Sequence, residues 1–161
     1  MTHSLPARHA RWRQSGIGMI EVLIAVLVVS IGFLGMAALQ AKALSTNNSA
    51  MARSMATVAS YSILDAMRAD IVNAKLGAYN GTVTAGATSC PAAGTTLAGA
   101  QLNAWCVELG KTLGTTATTG NINCSVVGDC TVTIQFDDSR AGTVGTSVGS
   151  SAQKVMTEAG L

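Results

Sequence analysis

The sequence predicts an α+β protein in which a long N-terminal α-helix packs on a small antiparallel β-sheet. Three patterns carry that expectation. Residues 17–39 are apolar except at Glu21 and Ser30. Apolar residues then recur at spacings of three and four from Met51 to Ile71. Finally, Cys130, Val132, Ile134 and Phe136 alternate with Thr131, Thr133 and Gln135. The first pattern suits a helix in lipid, the second a one-sided helix and the third a half-buried strand. A chain of 161 residues accommodates one compact domain with an appendage.

The first helix begins in a stretch built to cross a bilayer. Val22 to Ala41 are twenty residues without a charge, and at about 1.5 Å per residue they span the roughly 30 Å hydrocarbon core. Arg8, Arg11 and Arg13 precede it, so the positive-inside rule keeps the N-terminus cytoplasmic and sends the remainder outward. A secretory signal has a shorter apolar run and a small-x-small cleavage site. Residues 35–41 offer only a marginal site of that kind, and an uncleaved signal anchor is the plain alternative.

The helical pattern then continues. Met51, Met55, Val58, Tyr61, Leu64, Met67 and Ile71 fall on one face, no proline lies between Pro6 and Pro91, and Gly77 after Lys75 and Leu76 marks a left-handed stop. One helix is therefore expected from about Ile17 to about Leu76. Asn80 to Ala100 reads as loop, and a shorter helix carries Leu102, Trp105, Leu109 and Leu113, with Trp105 in the core. Gly114 to Gly120 is a second loop. Ile122 to Val127 pairs with the alternating strand through Gly128-Asp129 as a tight hairpin. Gly142 to Leu161 is either a loose tail or a final edge strand.

Composition excludes several functions. Both histidines, His3 and His9, precede Gly16, so a chain starting later has no imidazole for acid, base or metal chemistry. No nucleophile motif is present. Of ten basic residues three lie before Gly16, leaving seven against eight acidic ones without a cluster, which removes the electrostatic support for nucleic-acid binding. No enzyme activity, cofactor or metal is expected.

Cys90, Cys106, Cys124 and Cys130 all follow the apolar segment. An even count beyond a membrane span points to disulfides in an oxidising compartment, and the spacings lack the close pairs of a zinc site. Three pairings are open; Cys90 with Cys106 and Cys124 with Cys130 is the one favoured. The tight hairpin puts Cys124 and Cys130 on opposite faces, whereas a longer loop closed by them fits the sequence equally.

Glu21 is the anomaly, because a carboxylate in a lipid-compatible helix costs several kcal/mol without a partner. Snorkelling toward the headgroups is one explanation. The run Gly16-Ile17-Gly18-Met19-Ile20-Glu21-Val22-Leu23 supplies another, since it resembles the type III signal of type IV pilins. Residues 30–40, 47–50 and 65–69 are similar to the minor pilins called PilV, as are, more loosely, the Trp105 helix and residues 131–138. The sequence departs from the usual pattern at Ile17-Gly18 and in its C-terminal tail.

The resemblance implies a pilin fold of four parts. These are a cytoplasmic leader at 1–16, a transmembrane or filament-core helix at 17–41, its amphipathic continuation at 42–76, and a periplasmic α+β region at 77–161. It implies cleavage between Gly16 and Ile17 by a prepilin peptidase, N-methylation of Ile17, and pairing of Glu21 with a neighbouring subunit's terminal amine during assembly. The implied partners are other minor pilins, the major pilin, the inner-membrane assembly platform and membrane lipid. The implied processes are twitching motility, adhesion and DNA uptake. A type II secretion minor pseudopilin shares this chemistry, and a signal-anchored periplasmic binding domain or enzyme is the reading from another class. Gly32 and Gly35, costly in a helix interior, allow close helix approach, or loosening during assembly.

Overall fold

The structure is a computed structural model that describes residues 18–86, 89–115, 117–139 and 149–161. Gly16 and Ile17 lie outside the described residues, as do the leader arginines and histidines. Among the described residues the elements are, in order, α1 (Met19–Ala69), α2 (Ile71–Lys75), β1 (Gly81–Thr84), α3 (Leu97–Leu113), β2 (Thr119–Cys124), β3 (Asp129–Phe136) and β4 (Gln153–Gly160). The four strands form one antiparallel sheet in the order β1-β2-β3-β4. The fold is α+β, as expected. The chain divides into two units, Met1–Gln40 and Ala41–Leu161, and each is described by itself.

In the second unit, the core lies between the helices and one face of the sheet. Ile122, Val132, Ile134 and Phe136 face Ile63, Leu64 and Met67 of α1 and Trp105 and Leu109 of α3 in one buried cluster. The register explains the sheet's contribution. Ile122 pairs with Val132, Gly120 with Ile134 and Ile134 with Val155, so alternate residues of three strands share the covered face.

The single helix expected to about Leu76 is instead broken at Asp70 and resumes as α2 to Lys75. Asp70 leaves helical geometry between α1 and α2 (φ −129°, ψ 47°). Its carboxylate accepts from Asn73 Nδ2 at 2.7 Å and from the Tyr79 hydroxyl at 3.2 Å. An aspartate side chain engaged this way offers the chain an alternative to continuing a helix. The stop at Gly77 is as expected: it has φ 81°, its N–H donates to Ala74 O, and that of Ala78 donates to Asn73 O.

The buried face of α1 differs from the one the spacing suggests. Leu64 and Met67 are buried, but Met51, Val58 and Tyr61 are more than half exposed and Ile71 is also exposed. The covered stripe is made of the small residues Ala56, Ala59 and Ser60 and of Ile63, with Ala52 packed against it. Small side chains let helices approach closely, and Trp105 uses that proximity: its indole Nε1 donates to the Ala59 carbonyl at 3.0 Å.

Two segments expected as loop are partly strand. Gly81–Thr84 pairs with β2, and β2 begins at Thr119 inside the expected Gly114–Gly120 loop. Val83 alone is apolar in β1, so the strand has no alternation to betray it. It is positioned from its flank, where Asn80 Nδ2 donates to Cys124 O (3.0 Å) and Asn80 Oδ1 accepts from Cys124 N (2.8 Å). The final segment resolves in favour of an edge strand, β4, and residues 142–148 lie outside the described residues.

The β2–β3 hairpin also differs from the expected tight turn. The chain turns through Ser125–Gly128, where Gly128 N–H donates to Ser125 O (3.0 Å) and Ser125 N–H to Asp129 O (2.8 Å). Gly128, at φ 105°, closes the turn instead of opening it. This longer turn shifts the register, brings Cys124 directly opposite Cys130 on the covered face, and removes the objection to a bridge between them.

Gly120 sits beneath the Trp105 indole. A Cβ there would overlap the ring and lie 2.9 Å from Leu109 Cδ1, whereas one at Gly160 meets nothing within 4 Å. Gly120→Ala is expected to cost about 1–3 kcal/mol, read as a lower denaturant midpoint of the purified chain. Gly160→Ala should stay within about 0.5 kcal/mol of the parent.

Candidate functional site: the N-terminal helix and its carboxylate

Gly18 to Leu44 are all exposed, so the apolar first half of α1 has no cover from its own chain among the described residues. Long enough and apolar enough to cross a membrane, the helix lies near the N-terminus and is compatible with a single-pass membrane anchor.

Glu21 occupies the first turn of α1, where its N–H donates to Gly18 O at 2.9 Å. The first-turn position is electrostatically suited to a carboxylate, since the free N–H groups there carry the positive end of the helix dipole. Glu21 has no ion-pair partner among the described residues. Its carboxylate therefore stands at the head of an apolar surface, available to a cation from outside the described chain. Ile17, whose amine was the expected counter-charge in a neighbouring copy, lies outside the described residues.

The cysteines form two disulfides, Cys90–Cys106 and Cys124–Cys130. The first joins the segment after β1 to α3; the second closes the β2–β3 turn. In the chain-entropy account the longer loop contributes more, about 3 kcal/mol against about 2 for the shorter. Both are away from Glu21 in the sequence and serve the globular unit.

A polar cluster escaped the sequence reading. Asp138, only 6% exposed, accepts from Ser49 Oγ at 2.5 Å and lies 3.8 Å from Arg53 Nη2, which donates to Gln153 Oε1 at 3.2 Å. Asp138 N–H donates to Ser150 O, so the carboxylate ties the start and end of the β3–β4 connection to α1. Its members are 89 residues apart in sequence, and no local spacing marks them. With a hydroxyl and a guanidinium on one buried carboxylate, the arrangement clamps strands to helix and holds no imidazole or activated nucleophile.

Comparison of the chain with family models, with curated proteins and with solved structures finds no match.

Tyr79 holds its proton more tightly than a free phenol. Burial first, and then the hydrogen bond and negative charge of Asp70, push its phenol up to about 12 from an ordinary 10.0. The fold thus holds the neutral phenol, and the stability this adds is fully present below pH 10 and lost as pH rises toward 12. Spectrophotometric titration of phenolate should show a midpoint near 12 that Tyr79→Phe removes, and the variant should lose less stability than the parent across that window.

Proposed function

We propose that the chain is a minor type IV pilin of the PilV kind, made as a precursor, cut after Gly16 and assembled through α1. Glu21 carries this reading: an unpaired carboxylate in the first turn of an uncovered apolar helix, five residues beyond a glycine that follows a basic leader. Alone in lipid it costs several kcal/mol. Cleavage before Ile17 creates an amine, and methylation retains that amine's charge. A second subunit's amine then neutralises the carboxylate, and two groups that are each costly in lipid become one pair that also sets axial register.

The uncovered apolar helix supports the same reading, because a helix left bare by its own domain gains stability only from lipid or from other helices. The clamped, disulfide-closed globular unit suits an oxidising exterior. In this role the protein joins other minor pilins at the inner membrane, with the C-terminal unit periplasmic, to prime a filament and enters it at low copy number beside the major pilin. Motility, adhesion and DNA uptake are the processes such a filament serves. A minor pseudopilin of type II secretion uses the same chemistry, and gene neighbourhood separates the two.

The test is the mass and N-terminal sequence of the membrane-extracted protein, with and without the host's prepilin peptidase. A peptidase-dependent start at Ile17 with one added methyl is expected, and Glu21→Ala should be cut yet enter filaments more than about tenfold less, the equivalent of about 1.4 kcal/mol. A retained Met1 leader in both hosts would replace the pilin by a signal-anchored periplasmic domain.

A further inference from the structure

Asn80 and Gly81 are the one asparagine-glycine pair of the sequence, and they stand at the start of β1, where its ladder with β2 begins. Each has a structural task. Gly81 takes φ 144°, a conformation that residues with a side chain disfavour. Asn80 extends the sheet with its side chain. Continuing the register past Gly81 and Ile122 would set residue 79 opposite Cys124, but Tyr79 is buried with its hydroxyl on Asp70. The Asn80 carboxamide makes in its place the two bonds of a strand residue: Nδ2 donates to Cys124 O at 3.0 Å, and Oδ1 accepts from Cys124 N at 2.8 Å. Cys124 is fixed in turn through its own side chain, joined to Cys130 directly opposite on β3.

The same pair is chemically reactive, because a glycine carries no Cβ to keep its nitrogen from the preceding asparagine Cγ. The Gly81 nitrogen gives its proton to hydroxide or water, and its lone pair bonds to Asn80 Cγ. The bond from Cγ to Nδ2 breaks, and Nδ2 takes a proton and leaves as ammonia. Water then adds to either carbonyl of the succinimide ring and opens it to aspartate or isoaspartate. One amide and one water become a carboxylic acid and ammonia, with nothing oxidised or reduced. Asn80 is exposed, so water is at hand. The fold opposes the reaction. The leaving group Nδ2 is held by Cys124 O, Gly81 is paired with Ile122, and the carboxamide must give up both bonds to Cys124 before Cγ turns toward the Gly81 nitrogen.

We infer that Asn80-Gly81 is a self-modification site gated by the Cys124–Cys130 bridge: closed, the bridge preserves the amide; open, it lets Asn80 convert to aspartate and isoaspartate. The bridge ties the two ends of the hairpin turn and so limits the local opening in which Cys124 parts from Asn80. The products cannot restore the clamp. Aspartate sets a carboxylate oxygen against Cys124 O, and isoaspartate lengthens the main chain by one methylene at the start of an edge strand. A chain whose hairpin stays reduced is therefore altered irreversibly at the edge of its sheet, whereas one oxidised promptly is kept intact. None of this depends on the pilin reading.

The test uses the full chain extracted from membranes, held at mildly alkaline pH and sampled by peptide mass spectrometry with fragmentation that separates aspartate from isoaspartate. The oxidised parent should keep Asn80, and the folded double variant Cys124→Ser, Cys130→Ser should convert it at least about tenfold faster. The double variant Cys90→Ser, Cys106→Ser gives up the constraint on the longer loop; it controls for a general loss of stability and should stay near the parent. Conversion in the oxidised parent as fast as in the denatured chain, or equal rates in the two double variants, would overturn the gate. Coupling between two sites is reciprocal, so in Asn80→Asp, with all four cysteines present, the Cys124–Cys130 bridge should be half reduced at a severalfold lower dithiothreitol concentration than in the parent, read by alkylation and mass. That measurement decides the matter where the chain without this bridge does not fold: a parental reduction midpoint in Asn80→Asp would overturn the inference.

Discussion

Trp105 holds together parts of the globular unit that the chain keeps far apart. Its indole N–H reaches the Ala59 carbonyl of α1, and its ring covers Gly120 of β2. Each contact constrains a neighbour. The bond to a helix carbonyl brings α1 close, and the buried residues around it at 56, 59 and 60 are the small Ala56, Ala59 and Ser60. The ring over β2 requires a residue without a side chain, hence a glycine within a strand, where glycine is otherwise unfavourable. With α1 and β2 placed by one side chain, Ile122 and its neighbours on β3 fall against Ile63, Leu64 and Met67, and the sheet acquires its covered face.

That dependence explains what could be read from the sequence. The strand Asp129–Phe136 was legible because alternation is a local signal of a half-buried surface, and α3 because four large residues keep helical spacing around Trp105. The membrane-compatible half of α1 was legible from composition alone. The buried face of its second half was not. Periodicity identifies apolar residues but not which apolar face the domain covers, and here Met51, Val58 and Tyr61 point outward while Ala56 and Ala59 are buried with Ile63, Leu64 and Met67. Likewise β1, with Val83 as its single apolar residue, exists by virtue of β2 beside it and of Asn80 clamping Cys124. The hairpin was misjudged by the place of one glycine in the turn, and a register shift of three residues, an odd number, moved Cys124 to the same side as Cys130.

At the candidate site, the sequence was informative about type and silent about geometry. Glu21 stands out because charge is rare in such a segment, and no folded partner is needed to see that. Asp138 does not stand out, since aspartates are ordinary in loops, and its burial depends on Ser49 and Arg53 arriving from a helix 89 residues away. Both are carboxylates, yet they solve opposite problems. Asp138 is satisfied inside its own chain and ties the residues just after β3 to α1 and to Ser150. Glu21 has no ion-pair partner among the described residues, and in the proposed reading its desolvation in lipid is the driving force for meeting a cation elsewhere.

The two sides of α1 extend this contrast from single charges to surfaces. A helix that only had to cap a sheet would concentrate its large apolar residues on the sheet and carry charge outward. In the second unit α1 does so only in part: Ile63, Leu64 and Met67 meet the sheet, the covered stripe before them is Ala56, Ala59 and Ser60, and Leu44, Met51 and Val58 are exposed to solvent. Exposing three large side chains forgoes roughly 1.5–3 kcal/mol each, a sizeable share of the marginal stability of a small domain. A fold tolerates such a loss where the surface is recovered in another contact. Under the proposed pilin reading, the apolar first half of α1 and the carboxylate at its head are likewise surfaces whose cost is offset by lipid and by a neighbouring subunit rather than by the chain itself.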